Sequence, residues 1–586
     1  MATRLTGALI VSIVLCLTTG TATNDPAPQS RVSAHNLPVA TTAYPVPVGA
    51  VFVAGNGSDS AAGTLTAPLA TVAAAIAKAP VGGTVVIRGG TYRQTVGTVT
   101  KRITIQPYPG EKVWLKGTLV VTGWTHTGST WIHTGWNVTL CHTCYTKDII
   151  DPSYPYSGWP DMAFLDNTPL QQVGSADAVV PGTFFVDQTG HRLILGDDPT
   201  GKTVEATAFD RLLQFDPGSE GSVLRGIGVA EYASNQDYGN HGAMVVDNAA
   251  GVTLDNDTFA FSASAGAAVF QPNSTVSDST LIDNGLVGLV ANRADGLRLT
   301  GDTFSKNNQQ HFALTGDAIG AAGAKVTRTK SAYVADNYFT DNLATGWWCD
   351  LGCTDATVVD NVATGNLVNG LFYEVSSRGL FASNVMAGNQ VYGLKIASSD
   401  HVQIYNNTFD GNGVNELSLY NDPRSPSADP YSQQLGLSWV TTNTELVNNF
   451  YAEPNPDHAI IVSGDYKTTP HAGPFVSESD GNAYLRAAGS SDAPLLSWLV
   501  SVGTTTSYPT LAAFVAATGE DKHAVAATLG TVLPFIDPNQ QNYLLSADAV
   551  GVDAGQPLPA SVATAIGVPA STHPDIGVLA GPKPVS

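Results

Sequence analysis

Between residues 240 and 460 a short pattern of polar and apolar positions keeps returning. A polar pair, often Asp-Asn or Asn-Asn, precedes an apolar residue, and another Asn closes the phrase. It reads LDNDTF (254–259), VADNYFTDN (334–342), VVDNVATGN (358–366), FASNVMAGN (381–389) and IYNNTFDGN (404–412). The apolar positions Phe259, Leu281, Phe304, Phe339, Ala363, Met386 and Phe409 align, at spacings of 22, 23, 35, 24, 23 and 23 residues. A period of this size marks a stacked repeat. One coil therefore uses about 23 residues, and one coil carries an insertion at 305–322. The short β-branched runs between Asn, Asp and Gly turns predict strands, not helices. A leucine lattice is absent. What remains is an all-β solenoid, a right-handed parallel β-helix, its hand set by the usual chirality of parallel β connections. Asn residues at equivalent turns should form side-chain ladders from coil to coil.

An open solenoid end is a bare strand edge and needs a cover. Residues 68–78 (PLATVAAAIAK) space their apolar positions as a helix and predict an N-terminal cap. TVVIRGGTY (84–92) and ITIQPY (103–108) follow as first strands. At the far end LAAFVAATG (511–519) reads as a helix, and residues 537–555 as a closing strand and turn. Residues 121–205 break the repeat. They hold Trp124, Trp131, Trp136 and Trp159, and two hairpins, MAFLDNTPLQQV (162–173) and GTFFVDQTGHRLILG (182–196). These predict a small inserted β subdomain that walls one side of a cleft.

The start of the chain reads as a secretory signal over 1–23: Arg4, the apolar run Leu9 to Leu17, and the small residues Thr21-Ala22-Thr23. The run is too short to span a bilayer. The expected organisation is signal 1–23, flexible segment 24–48, cap and first coils 49–120, inserted subdomain 121–205, main β-helix 206–460, and C-terminal coils and cap 461–586. The expected location is secreted, extracellular.

Charge narrows the partners. The chain carries a net charge of −22, and −23 once the signal with Arg4 is set aside. Such a field repels nucleic acid, anionic membranes and polyanionic sugars, so a neutral glycan fits better. Beyond the signal the cysteines are Cys141, Cys144, Cys349 and Cys353. Outside the cell they read as two disulfides, with local pairing Cys141–Cys144 and Cys349–Cys353 expected first and cross-pairing left open. No metal-ligand spacing occurs among the histidines, and His241, His311 and His401 read as turn or rim residues. No cofactor and no metal are expected, and nothing fixes the oligomeric state.

The same period places chemistry on one face. Glycines open equivalent strands at Gly323, Gly346, Gly370 and Gly393, in GAKVTR, GWWCDL, GLFYEV and GLKIAS. Strand side chains alternate faces. Ala324/Val326, Trp347/Cys349, Leu371/Tyr373 and Leu394/Ile396 should point inward. Lys325/Thr327, Trp348/Asp350, Phe372/Glu374 and Lys395/Ala397 should point outward. Asp350 and Glu374 then occupy one position in consecutive coils, about 4.8 Å apart. A retaining glycosidase holds its nucleophile and acid/base about 5–5.5 Å apart. Two like charges this close push one pKa up and leave the other ionised. Lys325 and Lys395 flank the pair one coil before and one after. Trp348 and Phe372 offer ring faces to a sugar, Asn292 offers a hydrogen bond one coil further upstream, and the 305–322 insertion should overhang the face.

AGAKVTRT (322–329), GWWCDL (346–351) and GLFYEVS (370–376) together resemble the core of β-helix glycoside hydrolases related to secreted β-xylosidases. The opening GNGSDSAAGTLTAPLATVAAAI (55–76) and the MAFLDNTPLQQV stretch are similar to the same enzymes and their relatives. The resemblance implies Asp350 as nucleophile, Glu374 as general acid/base, and Lys325 as the lysine of the preceding coil. It departs from the family where Cys349 replaces an aliphatic residue beside the aspartate. Three readings follow: a retaining hydrolase of a neutral oligo- or polysaccharide such as a xylan or arabinan, a polysaccharide lyase or epimerase using Lys325 or Lys395 with Arg328, or a non-catalytic glycan-binding solenoid.

Overall fold

The computed structural model describes residues 39, 41–235, 242–314, 320–467, 473–489, 493–530, 534–569 and 573–579. The signal expected over 1–23 and His241 lie outside these residues. Among the described residues no helix is long and apolar enough to cross a membrane.

The chain winds into a parallel β-helix with three sheets, each of 13 strands. One coil passes from sheet II (Thr345–Asp350) to sheet I (Thr357–Val359) to sheet III (Val362–Thr364), and returns to sheet II at Leu371–Glu374. Two residues connect sheet I to sheet III. Asp360 takes a left-handed φ of 55°, and Asn361 follows with its side chain inside. The return to sheet II repeats the device with Gly365 (φ 67°) and Asn366. Asp, Asn and Gly tolerate this conformation best, which explains the residue types in the repeated phrase.

The second residue of each turn builds a ladder. The Asn342 amide donates to Asn366 Oδ1 (2.9 Å), Asn366 to Asn389 (2.8 Å), and Asn389 to Asn412 (2.8 Å). A parallel ladder joins Asn337, Asn361, Asn384, Asn407, Asn449 and Asn482. Each amide also donates to a backbone carbonyl, as Asn366 does to Phe339 O at 2.8 Å. Each carbonyl oxygen accepts a backbone N–H besides, so these buried polar groups are satisfied in full. Both ladders end on a carboxylate: Asn412 donates to Glu416, and Asn482 to Asp521 at 2.8 Å.

Inside the coils lies one continuous apolar core, with Phe259, Leu281, Phe304, Phe339, Ala363, Met386 and Phe409 among its members. The N-terminal cap is a helix over Val72–Lys78, shorter than the predicted 68–78. Leu69 instead bridges to Val53 in extended form, and the Thr71 hydroxyl caps the helix by accepting from Ala74 N. Both predicted hairpins form. Asp166 and Asn167, at φ 49° and 63°, join Ala163–Leu165 to Thr168–Pro169. Thr183–Asp187 pairs antiparallel with Arg192–Leu195. They belong to a four-stranded antiparallel sheet and a five-stranded mixed sheet around Trp136, Phe184, Leu193 and Val204. At the far end the helix Leu511–Thr518 seats Phe514 against Trp498 and Tyr508.

The tail corrects the expectation of a closing strand and turn. Phe535–Asp537 and Asn542–Leu545 pair with each other, and the chain then doubles back along the outside of the solenoid. Ile576 and Val578 cover Val362, Val385 and Phe450 of sheet III, and Val562 and Ile566 cover Val359, Ala382 and Tyr405 of sheet I. The reason is burial: these coils carry outward apolar residues, which a strap removes from water.

Two positions of the second ladder, before Asn337, are occupied by acids, Asp257 and Asp302. Asp302 Oδ1 accepts from Ser279 N (2.9 Å), but its buried Oδ2 has no partner. Burial pushes the carboxyl well above its usual range. Such an acid is neutral in both states below about pH 3.9. As pH rises the unfolded chain gains the charged form and the folded chain is penalised. Asp302→Asn should therefore stabilise the protein by about 1 kcal/mol or more at pH 7. The gain should vanish in acid, measured by denaturant unfolding at both pH values.

Candidate functional site

The glycines of sheet II hold the strands in place from inside. A Cβ at Gly346 would meet Gly370 O at 2.5 Å and the ladder amide of Asn366 at 2.9 Å. Gly323, Gly370 and Gly393 meet the next carbonyl and the next Asn in the same way. Only glycine fits, so the side chains that follow it fall into straight rows. Ala324, Val326, Trp347, Cys349, Leu371, Tyr373, Leu394 and Ile396 enter the core, as the alternation predicts.

The outward row runs Val246, Ala268, Val290, Lys325, Trp348, Phe372, Lys395, Ser418 and Val462, one per coil. Its first three members are covered by Ile149, Phe312 and Leu314. Phe312 and Leu314 belong to the long 305–322 coil, and Tyr154 stacks on His311 at 4.2 Å. That coil thus packs with the inserted segment over the coils before the predicted pair, and residues 315–319 of it lie outside the described residues. Lys325, Trp348 and Phe372, the next members, are buried as well.

The neighbouring outward row reads Asn292, Thr327, Asp350, and then Glu374, Ala397 and Tyr420. Trp347, Trp348 and Cys349 pair with Leu371, Phe372 and Tyr373, which carries Asp350 to the level of Glu374. The two carboxyls are one strand spacing apart at the backbone, about 4.8 Å. Lys325 stands opposite Trp348 and reaches diagonally to Asp350, with Nζ 2.7 Å from Oδ2. Its ammonium lies 2.9 Å from the Trp348 ring centroid. Asp350 Oδ1 accepts from Leu351 N at 2.6 Å. Trp348 Nε1 donates to Glu374 Oε2 at 3.1 Å. Trp348 and Phe372 stack at 5.2 Å and are nearly buried, so they present edges where the alternation suggested open faces. Lys395 stands opposite Phe372, with its ammonium 4.6 Å from that ring. Asn292 accepts from the Thr327 hydroxyl at 3.1 Å and lies two coils before Asp350.

A group that the repeat does not reveal completes the site. Sheet II continues to Asn415–Asn421, and the chain then makes a long excursion over 422–443 before sheet I resumes. This loop brings Arg424 to Glu374, where its guanidinium ion-pairs with Oε1, and holds it there through Asp422 Oδ2 at 2.6 Å. The loop is pinned twice. Arg328, just past Thr327 in the bend (φ 49°), pairs with Asp429 at 2.8 Å, and Leu437 and Trp439 pack on Val375. Lys467 donates to Arg424 O at 2.7 Å. The signal for this loop lies in the spacing: the aligned residue after Phe409 is Tyr451, 42 positions on where a plain coil takes about 23.

Electrostatics divide the group. Burial pushes the Glu374 carboxyl up, Asp350 pushes it further, and Arg424, Lys325 and Lys395 pull it back in part. Burial lowers Lys325, against the pull of Asp350, and lowers Lys395, against that of Glu374. Burial would raise Asp422, but its contacts with Arg424 hold it below the usual range.

The bend behind the pair is fixed as well. Leu351 and Val375, directly after Asp350 and Glu374, have φ of 55° and 40°. A β-branched residue rarely takes such a conformation, and it persists only where surroundings enforce it. A third ladder supplies that: Cys353 N donates to Ser376 Oγ, Ser376 N to Ser399 Oγ, and Ser399 N to Thr441 Oγ1, at 3.0–3.2 Å. Cys353 is also disulfide-bonded to Cys349, and Cys141 to Cys144, the local pairing expected first. Removing the loop's anchor with Arg328→Ala should speed hydrogen exchange in residues 422–440 while the melting temperature moves only a few degrees, read by exchange mass spectrometry and calorimetry.

Comparison with known proteins adds the following. A family model described as "Right handed beta helix region" matches residues 241–409. Pectate lyase PEL9 of Emericella nidulans is 38% identical over 74 residues, which is 11% of this chain and 18% of that protein's length. The structure of XylC in complex with xylose superposes with a TM-score of 0.51 at 14% identity, covering 74% of this chain and 83% of that one. A structure titled glycoside hydrolase gives a TM-score of 0.41 at 12% identity, over 73% of this chain and 96% of that one. The chain is a right-handed parallel β-helix.

Proposed function

We propose that the protein is a retaining glycoside hydrolase acting on a glycan with a neutral backbone. The observation that carries this is the register, which sets Asp350 and Glu374 one strand apart on an outward face. A double-displacement mechanism needs its two carboxyl groups about 5–5.5 Å apart, and a backbone spacing of about 4.8 Å suits that separation. In this reading Asp350 attacks the anomeric carbon, with Lys325 and Leu351 N orienting its two oxygens. Glu374, held protonated by burial and by Asp350, gives its proton to the leaving oxygen. It then takes a proton from the water that releases the sugar. Arg424 and Trp348 position Glu374, and Arg424 has to yield its contact with Oε1 while it keeps Asp422. The resemblance of the GWWCDL and GLFYEVS strands to β-helix β-xylosidases supports the same roles. Two disulfides suit an oxidising, extracellular setting.

A polysaccharide lyase is the second reading. It is favoured by two lysines on the face, both lowered by burial as a proton-abstracting base requires, and by the local match to a pectate lyase. Arg328 does not assist there, since it is engaged with Asp429. The strongly negative net charge opposes a polyanionic substrate.

Two experiments test the hydrolase. On a panel of aryl glycosides and neutral xylans, arabinans and mannans, Glu374→Ala should lose about 10²–10⁴-fold in kcat. Asp350→Ala should lose at least as much, with both circular dichroism spectra unchanged. Full activity in either variant, or an ultraviolet-absorbing unsaturated product, overturns the reading. The pH profile gives the second test. The alkaline limb of kcat/KM reports loss of the Glu374 proton, so it should lie above the usual carboxylate range. Arg424→Met removes a cation that lowers Glu374 and should move the limb to higher pH.

A further inference from the structure

We infer that Lys395 is the recognition point for a carboxylate carried by the glycan, so that the substrate is a neutral chain bearing a uronate residue beside the cleaved linkage. The inference rests on the reading of this face as a sugar-binding site, but not on hydrolysis.

The cations around the two carboxyls divide into those already engaged and one that is not. Lys325 is paired with Asp350, and Arg424 with Glu374 and Asp422. Arg328 is paired with Asp429, and Lys467 donates to the carbonyls of Asp422 and Arg424. Among the described residues Lys395 has no ion pair and no hydrogen bond. Its ammonium is surrounded by ring faces instead: Phe372 at 4.6 Å, Tyr420 at 5.0 Å and Tyr392 at 5.8 Å. Tyr466 stands edge-on to Tyr420 at 6.4 Å and extends that wall.

Aromatic faces attract an ammonium but accept none of its N–H bonds in the ordinary sense. A half-buried cation with three free donors is costly on its own and favours an anion that brings acceptors. The nearest acids are turned to other partners. Glu374 has both oxygens taken, by Arg424 and Trp348, and Asp422 is held by Arg424. A carboxylate on the ligand would supply the acceptor that the protein does not.

Position identifies which part of the ligand. Lys395 follows Phe372 in the outward row, one coil beyond Glu374's strand and on the side away from Lys325. A sugar seated against Glu374 would bring a ring substituent to it, while the linkage stays with the carboxyl pair. The tyrosine wall suits a pyranose body, and the ammonium suits one carboxylate. The whole-chain field opposes a polyanion, but a single charge at a local cation is compatible with it.

The test compares isosteric ligands that differ only at one carbon. Binding of the methyl glycosides of glucuronic and galacturonic acid is measured by calorimetry against the methyl glycosides of glucose and galactose. At least one acid should bind tenfold or more tighter than its neutral counterpart. Lys395→Met should collapse that ratio to within about threefold of unity, and Lys395→Arg should preserve it. Equal binding within both pairs, no binding by any of the four, or a preference that survives Lys395→Met overturns the inference. Because binding is read without turnover, an inactive protein that still prefers the acid would sink the hydrolase and leave Lys395 standing.

Discussion

From Asn284 to Asn482 the coils of this solenoid are tied one to the next by buried asparagine amides. In the buried turns each amide gives one N–H to a neighbouring Asn and one to a backbone carbonyl, as Asn366 does to Asn389 and Phe339 O. A slip of one residue would leave these groups unpaired in the core, at about 1–3 kcal/mol each, and would turn every strand inside out. Register is therefore not free to vary. The left-handed φ before the ladder residues favours Asp, Asn and Gly there, and a Cβ at Gly323, Gly346, Gly370 or Gly393 of sheet II would meet the next ladder amide.

The site inherits its geometry from that restriction. Asp350 and Glu374 meet because Trp347 must pair with Leu371 and Cys349 with Tyr373, two contacts decided inside the core. The turn behind them is secured separately, by the Ser and Thr ladder and by the Cys349–Cys353 disulfide, against the strain at Leu351 and Val375. The solenoid thus supplies the pair of carboxyls, and the excursion over 422–443 supplies a guanidinium shared between Glu374 and Asp422.

What was legible in the sequence is what repeats. The period, the inward and outward alternation around Lys325, Trp348, Asp350, Phe372, Glu374 and Lys395, and the ladder-forming Asn all recur every coil, so each copy supports the others. What does not recur was lost. Arg424 lies 50 residues from Glu374, in a segment without coil spacing, and only the 42-residue gap from Phe409 to Tyr451 hinted at it. The 305–322 coil was expected over this face, but its contact with Ile149 of the inserted segment had no local signal. The tail was read as an end cap because nothing local shows that it packs some 170 residues back, where Val578 N meets the Thr408 hydroxyl. The openness of Trp348 and Phe372 was overestimated for a similar reason: alternation tells which side a ring faces, and not that Lys325 and Lys395 lie over it.

The claim that binds fold to function is that Asp350 becomes covalently attached to sugar during turnover. Incubating the protein with a 2-deoxy-2-fluoro glycoside bearing an activated leaving group, followed by proteolysis and mass spectrometry, measures this directly. The account predicts a glycosyl adduct on Asp350, formed faster than it is released. An adduct on Glu374, or turnover that yields an unsaturated sugar and no adduct, would contradict it.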